Sequence, residues 1–225
     1  MLLKVIKRIF NYIRERRFAV SQSYKLHEKG TLLNAFYNSN TIFIHIPKTA
    51  GISLVNAIYG NVSNEGHRKI SFYQNLFKKE IKEYYIFSFV RNPYDRLYSA
   101  FKFLEIGGMN IHDKRGYQDY LSCFNSFEDF VCNGLDESII YKISHFIPQT
   151  EFISNKNNDI IIDFVGKYEN LENDISKLSK KLGKVIELPL LNSNVNKPAY
   201  QEVYTNEMRD IVYEVYKRDF EILKY

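Results

Sequence analysis

The 225 residues, 45% hydrophobic and 25% charged, suit one soluble α/β domain with a sizeable core and a small appendage, and contain no apolar run of about 18 residues that would cross a bilayer. The formal net charge of +5 equals that of residues 1–17 alone, where Lys4, Lys7, Arg8, Arg14, Arg16 and Arg17 stand against Glu15; the neutral remainder gives no reason to expect nucleic-acid binding. Cys123 and Cys132 form neither a metal motif nor a disulfide framework, which suits a reduced, cytoplasmic setting.

Residues 1–18 read as an amphipathic helix, with Leu2, Val5, Ile6, Ile9, Phe10 and Ile13 on one face and the basic residues largely opposite. Such a face packs on its own domain or a second subunit, or lies on an anionic membrane surface at the inner side of the cell. The start has no uninterrupted apolar core and no small-residue cleavage site, so it makes a poor signal peptide. Residues 19–40 look like a polar connector, and the chain divides into an appendage over 1–39 and a main domain over 40–225.

TIFIHI, residues 41–46, is β-branched and aromatic and stops at Pro47, which predicts a buried strand. A helix follows over 52–60, closed by Gly60. After a loop over 61–70 come a helix near 71–82 and a second buried strand over 83–90. Asn92 as N-cap and Pro93 at the first helical position start a helix that runs to about 105 and halts at Gly107-Gly108. Residues 106–126 read as an irregular, substrate-facing loop. Helices are expected over 127–133, 137–146 and 169–182, a third strand over 157–166 and a loop over 189–200. A final amphipathic helix near 205–220 carries Met208, Ile211, Val212, Val215 and Tyr216. Strands alternating with helices predict a P-loop-like, three-layer α/β fold with a central, mostly parallel sheet flanked by helices.

Two strand-to-helix junctions carry the chemistry. In PKTAGIS the phosphate-binding elements follow one another: Lys48 supplies a mobile cation, Thr49 and Ser53 hydroxyl donors, and Gly51 a left-handed backbone close to the ligand. The residues Thr49, Ala50, Gly51, Ile52 and Ser53 enter a helix whose unpaired N–H groups favour an anion. The Gly-x-x-x-x-Gly-Lys-Ser/Thr loop of ATP-binding proteins is absent. In FVRNPYDRLYSAF, Arg91 ends the second strand and Ser99 lies about two turns down the next helix, roughly 10 Å along its axis. Ligands of open α/β sheets bind at such strand ends, so the pair suits a second phosphate. Arg96 is a less certain helper, able to pair with Asp95 instead.

These two stretches, about forty residues apart, resemble those of the sulfotransferases that use 3′-phosphoadenosine 5′-phosphosulfate (PAPS). PKTAGIS is similar to the family's 5′-phosphosulfate loop, and Arg91 and Ser99 match its 3′-phosphate motif. FIPQTEFI around Gln149, DFVGKYENLENDI and YKRDFEILKY resemble the branch acting on carbohydrate hydroxyls, which includes heparan 2-O- and chondroitin-type enzymes and bacterial relatives. The resemblance covers residues 40–225. Where the family's loop usually has Thr, this chain has Ile52.

The resemblance implies transfer of a sulfuryl group from PAPS to a saccharide or glycoconjugate hydroxyl, with release of PAP and no metal. Lys48 would offset charge on the leaving phosphate. A hydroxyl acceptor calls for a general base. Of His27, His45, His67, His112 and His145, His67 is favoured: it follows Gly66, 24 residues before Arg91, at a spacing similar to the branch's catalytic histidine. His45 beside the nucleotide loop is the runner-up, and His145 could face the acceptor. Tyr117, Tyr120, Gln118, Lys114 and Arg115 are weaker acceptor candidates. Two other readings compete: a P-loop nucleotide-dependent kinase, and a non-catalytic nucleotide- or glycan-binding module on the same scaffold. A homo-oligomer is compatible with all three.

Overall fold

The computed structural model describes residues 2–63, 65–188 and 199–225, and within the first helix the side chains of Ile6, Phe10 and residues 12–21. In chain order the helices and strands are α1 (Leu2–Ser21), α2 (Leu32–Ser39), β1 (Thr41–Ile44), α3 (Gly51–Tyr59), α4 (Ile70–Phe77), β2 (Tyr85–Val90), α5 (Pro93–Glu105), α6 (Ile111–Tyr120), α7 (Phe127–Asn133), α8 (Thr150–Ile153), β3 (Phe164–Lys167), α9 (Leu171–Leu182), α10 (Tyr200–Val203), α11 (Asn206–Val215) and α12 (Lys217–Leu223). Most of the loop expected over 189–200 lies outside the described residues.

The three strands form a parallel sheet in the order β1-β2-β3. Phe43 is paired with Phe87, and Phe87 with Phe164. All four residues of β1 and five of the six in β2 are buried. Since successive strand residues point to opposite faces, this burial requires cover on both sides, which is the layered α/β arrangement predicted above. Parallel pairing also sends the loops after all three strands out at one edge, and this edge carries the site.

Local signals placed several boundaries well. The Asn92 side chain accepts from Tyr94 N at 3.0 Å, and Pro93 opens α5. Gly60, at φ 79°, closes α3. Other expectations need correcting. The supposed connector contains α2, whose Leu32, Leu33 and Phe36 share one core with Ala19 and the strands. The supposed irregular loop contains α6, which is polar but capped by Asn110, whose Oδ1 accepts from His112 N and Asp113 N. Residues 137–146 hold only a short 3-10 turn over Ile139–Tyr141. The third strand is confined to Phe164–Lys167, and the last helix breaks at Tyr216 into α11 and α12.

Apolar residues form two clusters. One fills the sheet and the helices α2, α3 and α4. The second is built from α5, α7, α11 and the segment Leu135–Phe146. Helix α1 rests on α4 through Phe18, whose ring lies 6.0 Å from that of Phe72, and through fully buried Ala19. Of its apolar stripe, Ile6 and Ile13 are exposed and Phe10 keeps 67% of its surface in solvent, and Val20 is exposed further along. Among the described residues no helix is long and apolar enough to cross a membrane.

Candidate active site

The loop after β1 is shaped by left-handed backbone at Lys48 (φ 69°) and Ala50 (φ 62°). Non-glycine residues reach this region at a cost of about 1–2 kcal/mol each, and such strain gathers at functional sites. Gly51 is not left-handed, which corrects the reason given for it. A Cβ there would lie 1.9 Å from Cδ2 of His45, so glycine is needed for the loop to close over that ring. Thr49 is fully buried and its hydroxyl donates to Ile46 O at 2.9 Å. Its side chain therefore locks the loop, and only its backbone N–H is left to face a ligand. Ser53 is half-buried and Ile52 exposed.

The start of α3 lacks a side-chain cap, as do those of α4, α8, α9, α10 and α12; what sets it apart is the left-handed pair Lys48 and Ala50 that leads into it. Thr31, Asn92, Asn110, Ser126 and Thr205 each cap a helix with a side-chain oxygen, whereas Ala50 at the N-cap of α3 supplies none. The first-turn N–H groups thus lack a side-chain acceptor, in a loop bent toward a nest for an anion. This is the observation on which the residues fit a phosphosulfate group.

Arg91 joins the neighbouring junctions. Its guanidinium donates through Nε to Asp95 at 2.7 Å and through one terminal nitrogen to Lys48 O at 3.1 Å, and it lies 4.2 Å from the centre of the Tyr168 ring. Its main chain is held by Gln149, which accepts from Arg91 N and donates to Arg91 O, both at 2.8 Å. Asp219 in turn accepts from Gln149 N and from the N–H and hydroxyl of Thr150. Hence the three downstream stretches that looked like weaker family blocks supply the scaffold of Arg91. Arg96 is not a phosphate helper. It is 1% exposed and donates to the carbonyls of His145 and Ile147.

Asp95, Ser99 and Phe103 recur every four residues on α5, so they line one face. Arg91 holds the first of them and the Lys48 ammonium lies 4.1 Å from the ring centre of the last. Ser99, half-buried, falls between these two cations.

The structure brings three of the five histidines together. The His67 ring meets the His45 ring edge-on at 4.5 Å and the His145 ring at 5.4 Å. His45 and His67 flank the sheet core, whereas His145 stands between Ile143 and Phe146 of the second cluster, so the group sits where the two cores meet. His67 Nδ1 lies 3.1 Å from the carbonyl of His45. A carbonyl only accepts, so Nδ1 carries the proton and Nε2 the lone pair. Burial lowers the His67 pKa below the ordinary 6.5, opposed by that hydrogen bond and by Asp113. Burial pushes His145 down to about 4 and His45 to about 3. His45 is therefore a neutral wall that supplies a carbonyl and a ring face, and its buried Nδ1 has no hydrogen-bond partner among the described residues.

The model of the sulfotransferase family matches residues 5–225. This chain belongs to the sulfotransferase family. Membership implies PAPS as the sulfuryl donor. A protein of Archaeoglobus fulgidus described as uncharacterized is 31% identical over 127 residues, covering 56% of this chain and 90% of that protein. Mouse carbohydrate sulfotransferase 12 is 27% identical over 180 residues, covering 68% of this chain. The sulfotransferase chain spans only 43% of the mouse protein's length. No solved structure matches it. The family match begins well before residue 40, where the motif resemblance starts.

Sequence reasoning missed two side chains that the structure brings to the candidate site, Phe103 beside Lys48 and Asp113 beside His145. Phe103 could have been found from its four-residue spacing below Asp95 and Ser99. Asp113 had a fainter signal, the Gly107-Gly108 pair followed by the Asn110 cap. Among the described residues no group of three or more His, Cys, Asp or Glu side chains is arranged to hold a metal ion.

Proposed function

We propose that the chain moves the sulfuryl group of PAPS to a hydroxyl of a carbohydrate or glycoconjugate, with His67 as general base and Lys48 assisting departure of PAP. The observation that carries this reading is the bond from His67 Nδ1 to the His45 carbonyl, which leaves the Nε2 lone pair of a half-buried ring beside the loop after β1. His67 would take the acceptor's proton as the acceptor oxygen bonds to sulfur and the sulfur–oxygen bond to the 5′-phosphate breaks. Lys48 and the backbone N–H groups of residues 49–53 would hold the phosphosulfate end, and Arg91 with Ser99 the 3′-phosphate. The Arg91 fork has five N–H groups, so it can take a phosphate oxygen while keeping its bonds to Asp95 and Lys48 O. Similarity to the mouse carbohydrate enzyme supports the acceptor class.

An ATP-dependent kinase would have no use for the second phosphate site. Calorimetry separates the readings: adenosine 3′,5′-bisphosphate is expected to bind at least tenfold more tightly than ATP, with no magnesium requirement. Tighter, magnesium-dependent ATP binding would overturn the assignment. A non-catalytic module would bind the bisphosphate but transfer no labelled sulfate to any host glycan.

The outward stripe of α1 fits an anionic bilayer surface, since exposed Ile6, Phe10 and Ile13 share the helix with six basic residues. The Phe10→Asp/Ile13→Asp variant is expected to lose cosedimentation with phosphatidylserine-containing vesicles while keeping its rate on a soluble acceptor. Equal sedimentation, or a dimer that the same changes dissolve, would make this face a subunit contact instead.

A further inference from the structure

Asp113 is a buried carboxylate that the proposed chemistry does not use. It lies on polar α6, outside the strand-end loops, and yet reaches the histidine cluster. Its Oδ2 accepts from Met109 N at 2.9 Å and from Asn110 Nδ2 at 2.8 Å. Those bonds explain a turn. They do not explain Oδ1, which faces His145 Nδ1 at 3.7 Å, with both side chains at least nine-tenths buried. Close approach is secured by Gly108, at φ 64°, where a Cβ would lie 2.2 Å from that of Asp113. His145 is fixed from the other side: its carbonyl accepts from Arg96, and its ring stands 5.1 Å from Phe103 and 5.4 Å from His67. Asp113, His145 and His67 thus form a row from α6 to the base.

We propose that Asp113 and His145 are positioning residues for the transfer: through the His145 ring, the Asp113 carboxylate offsets the positive charge that His67 acquires when its Nε2 takes the acceptor's proton. This rests on His67 being the base. Charge supports it. The groups acting on the His67 and His145 rings are Lys48 from the phosphate loop, Arg68 beside His67, Arg96 from α5, the neighbouring histidine and Asp113. Three of these are cations and Asp113 is the anion among them. An imidazolium formed on the partly buried His67 ring beside Arg68 and Arg96 is costly, and an opposite charge within reach favours it. Asp113 acts in that direction on both rings.

The test is Asp113→Asn, which keeps an acceptor oxygen for the Met109 turn and removes the charge. The rate is read as kcat/KM against pH, and the His67 ring is followed by NMR with labelled imidazole nitrogens. The base must be neutral to act, so kcat/KM rises with pH through the His67 pKa. Loss of the carboxylate lowers that pKa. The acid limb and the NMR midpoint are therefore both expected to move to lower pH by about one unit, and plateau kcat to fall about tenfold. Bisphosphate affinity and melting temperature should stay as in the parent. In a His145→Gln background, Asp113→Asn should cause a much smaller further shift, because the two residues act as one unit. Unmoved midpoints would overturn the proposal and reduce Asp113 to a turn residue. If His67→Ala abolishes transfer while Asp113→Asn leaves the midpoints in place, this inference fails and the base assignment stands. A fully active His67→Ala enzyme overturns both.

Discussion

Lys48→Ala is expected to lower kcat for sulfuryl transfer by about 10²–10³-fold, the usual cost of removing one preorganised group that meets charge developing in the transition state. The geometry explains why the loss should fall on kcat. Lys48 is held in left-handed backbone, its carbonyl accepts from Arg91, and its ammonium stands over Phe103. The backbone nest, Ser53, Arg91 and Ser99 would still bind the nucleotide, so affinity for the bisphosphate should change by less than about tenfold. Lys48→Arg should rescue little, since a planar fork cannot replace a compact charge beside an aromatic ring. Steady-state kinetics with labelled PAPS checks this. A kcat within threefold of the parent, or a loss confined to KM, would remove Lys48 from the chemical step.

The second large effect concerns His67. His67→Ala is expected to cost about 10²–10⁴-fold in kcat, the range for a positioned general base, with bisphosphate binding unchanged. His67→Gln should be no better, because an amide cannot take up the proton. In the parent, burial holds the His67 pKa below 6.5, so the ring is neutral at pH 7. Activity should sit on a plateau there and fall only as the pH drops through that lowered value. An acid limb centred above pH 7 would assign the profile to another group. The same sign holds for His45 and His145, pushed down to about 3 and about 4: each favours the folded state while neutral, and that contribution is lost in acid.

The two strand-to-helix junctions, at Pro47–Gly51 and Arg91–Pro93, were legible in the sequence because each depends on residues adjacent along the chain. A strand, a turn and a helix start are set by neighbours, so TIFIHI, Pro47, Asn92-Pro93 and Gly60 carried their own evidence. The place of Ser99 two turns along α5 followed from helical spacing alone. Helix α6 was missed because its polar residues give no apolar period, and Asn110 capping with tertiary support stands in for one.

The histidine cluster could not be read that way. His45, His67 and His145 come from three separate segments, and nothing local distinguishes the base from its neighbours. What the structure adds is a carbonyl 22 residues away that bonds His67, and for His145 a carboxylate on α6 that faces its ring beside the neighbouring Ser144 hydroxyl. Gln149 grips Arg91 across 58 residues, and Asp219 grips Gln149 across 70. Such bonds form only after the chain has closed its two cores against each other, and they leave no periodic trace in the sequence. The sequence alone determined two strand-to-helix junctions, TIFIHI-PKTAGIS and the one at Arg91-Asn92-Pro93, whose resemblance to a family's phosphate motifs supports the nucleotide proposal. The tertiary structure decided why Gly51 cannot carry a side chain, which nitrogen of His67 bears the proton, and that Asp113 stands beside the histidine cluster. Each of those depends on two distant surfaces meeting within a few ångströms.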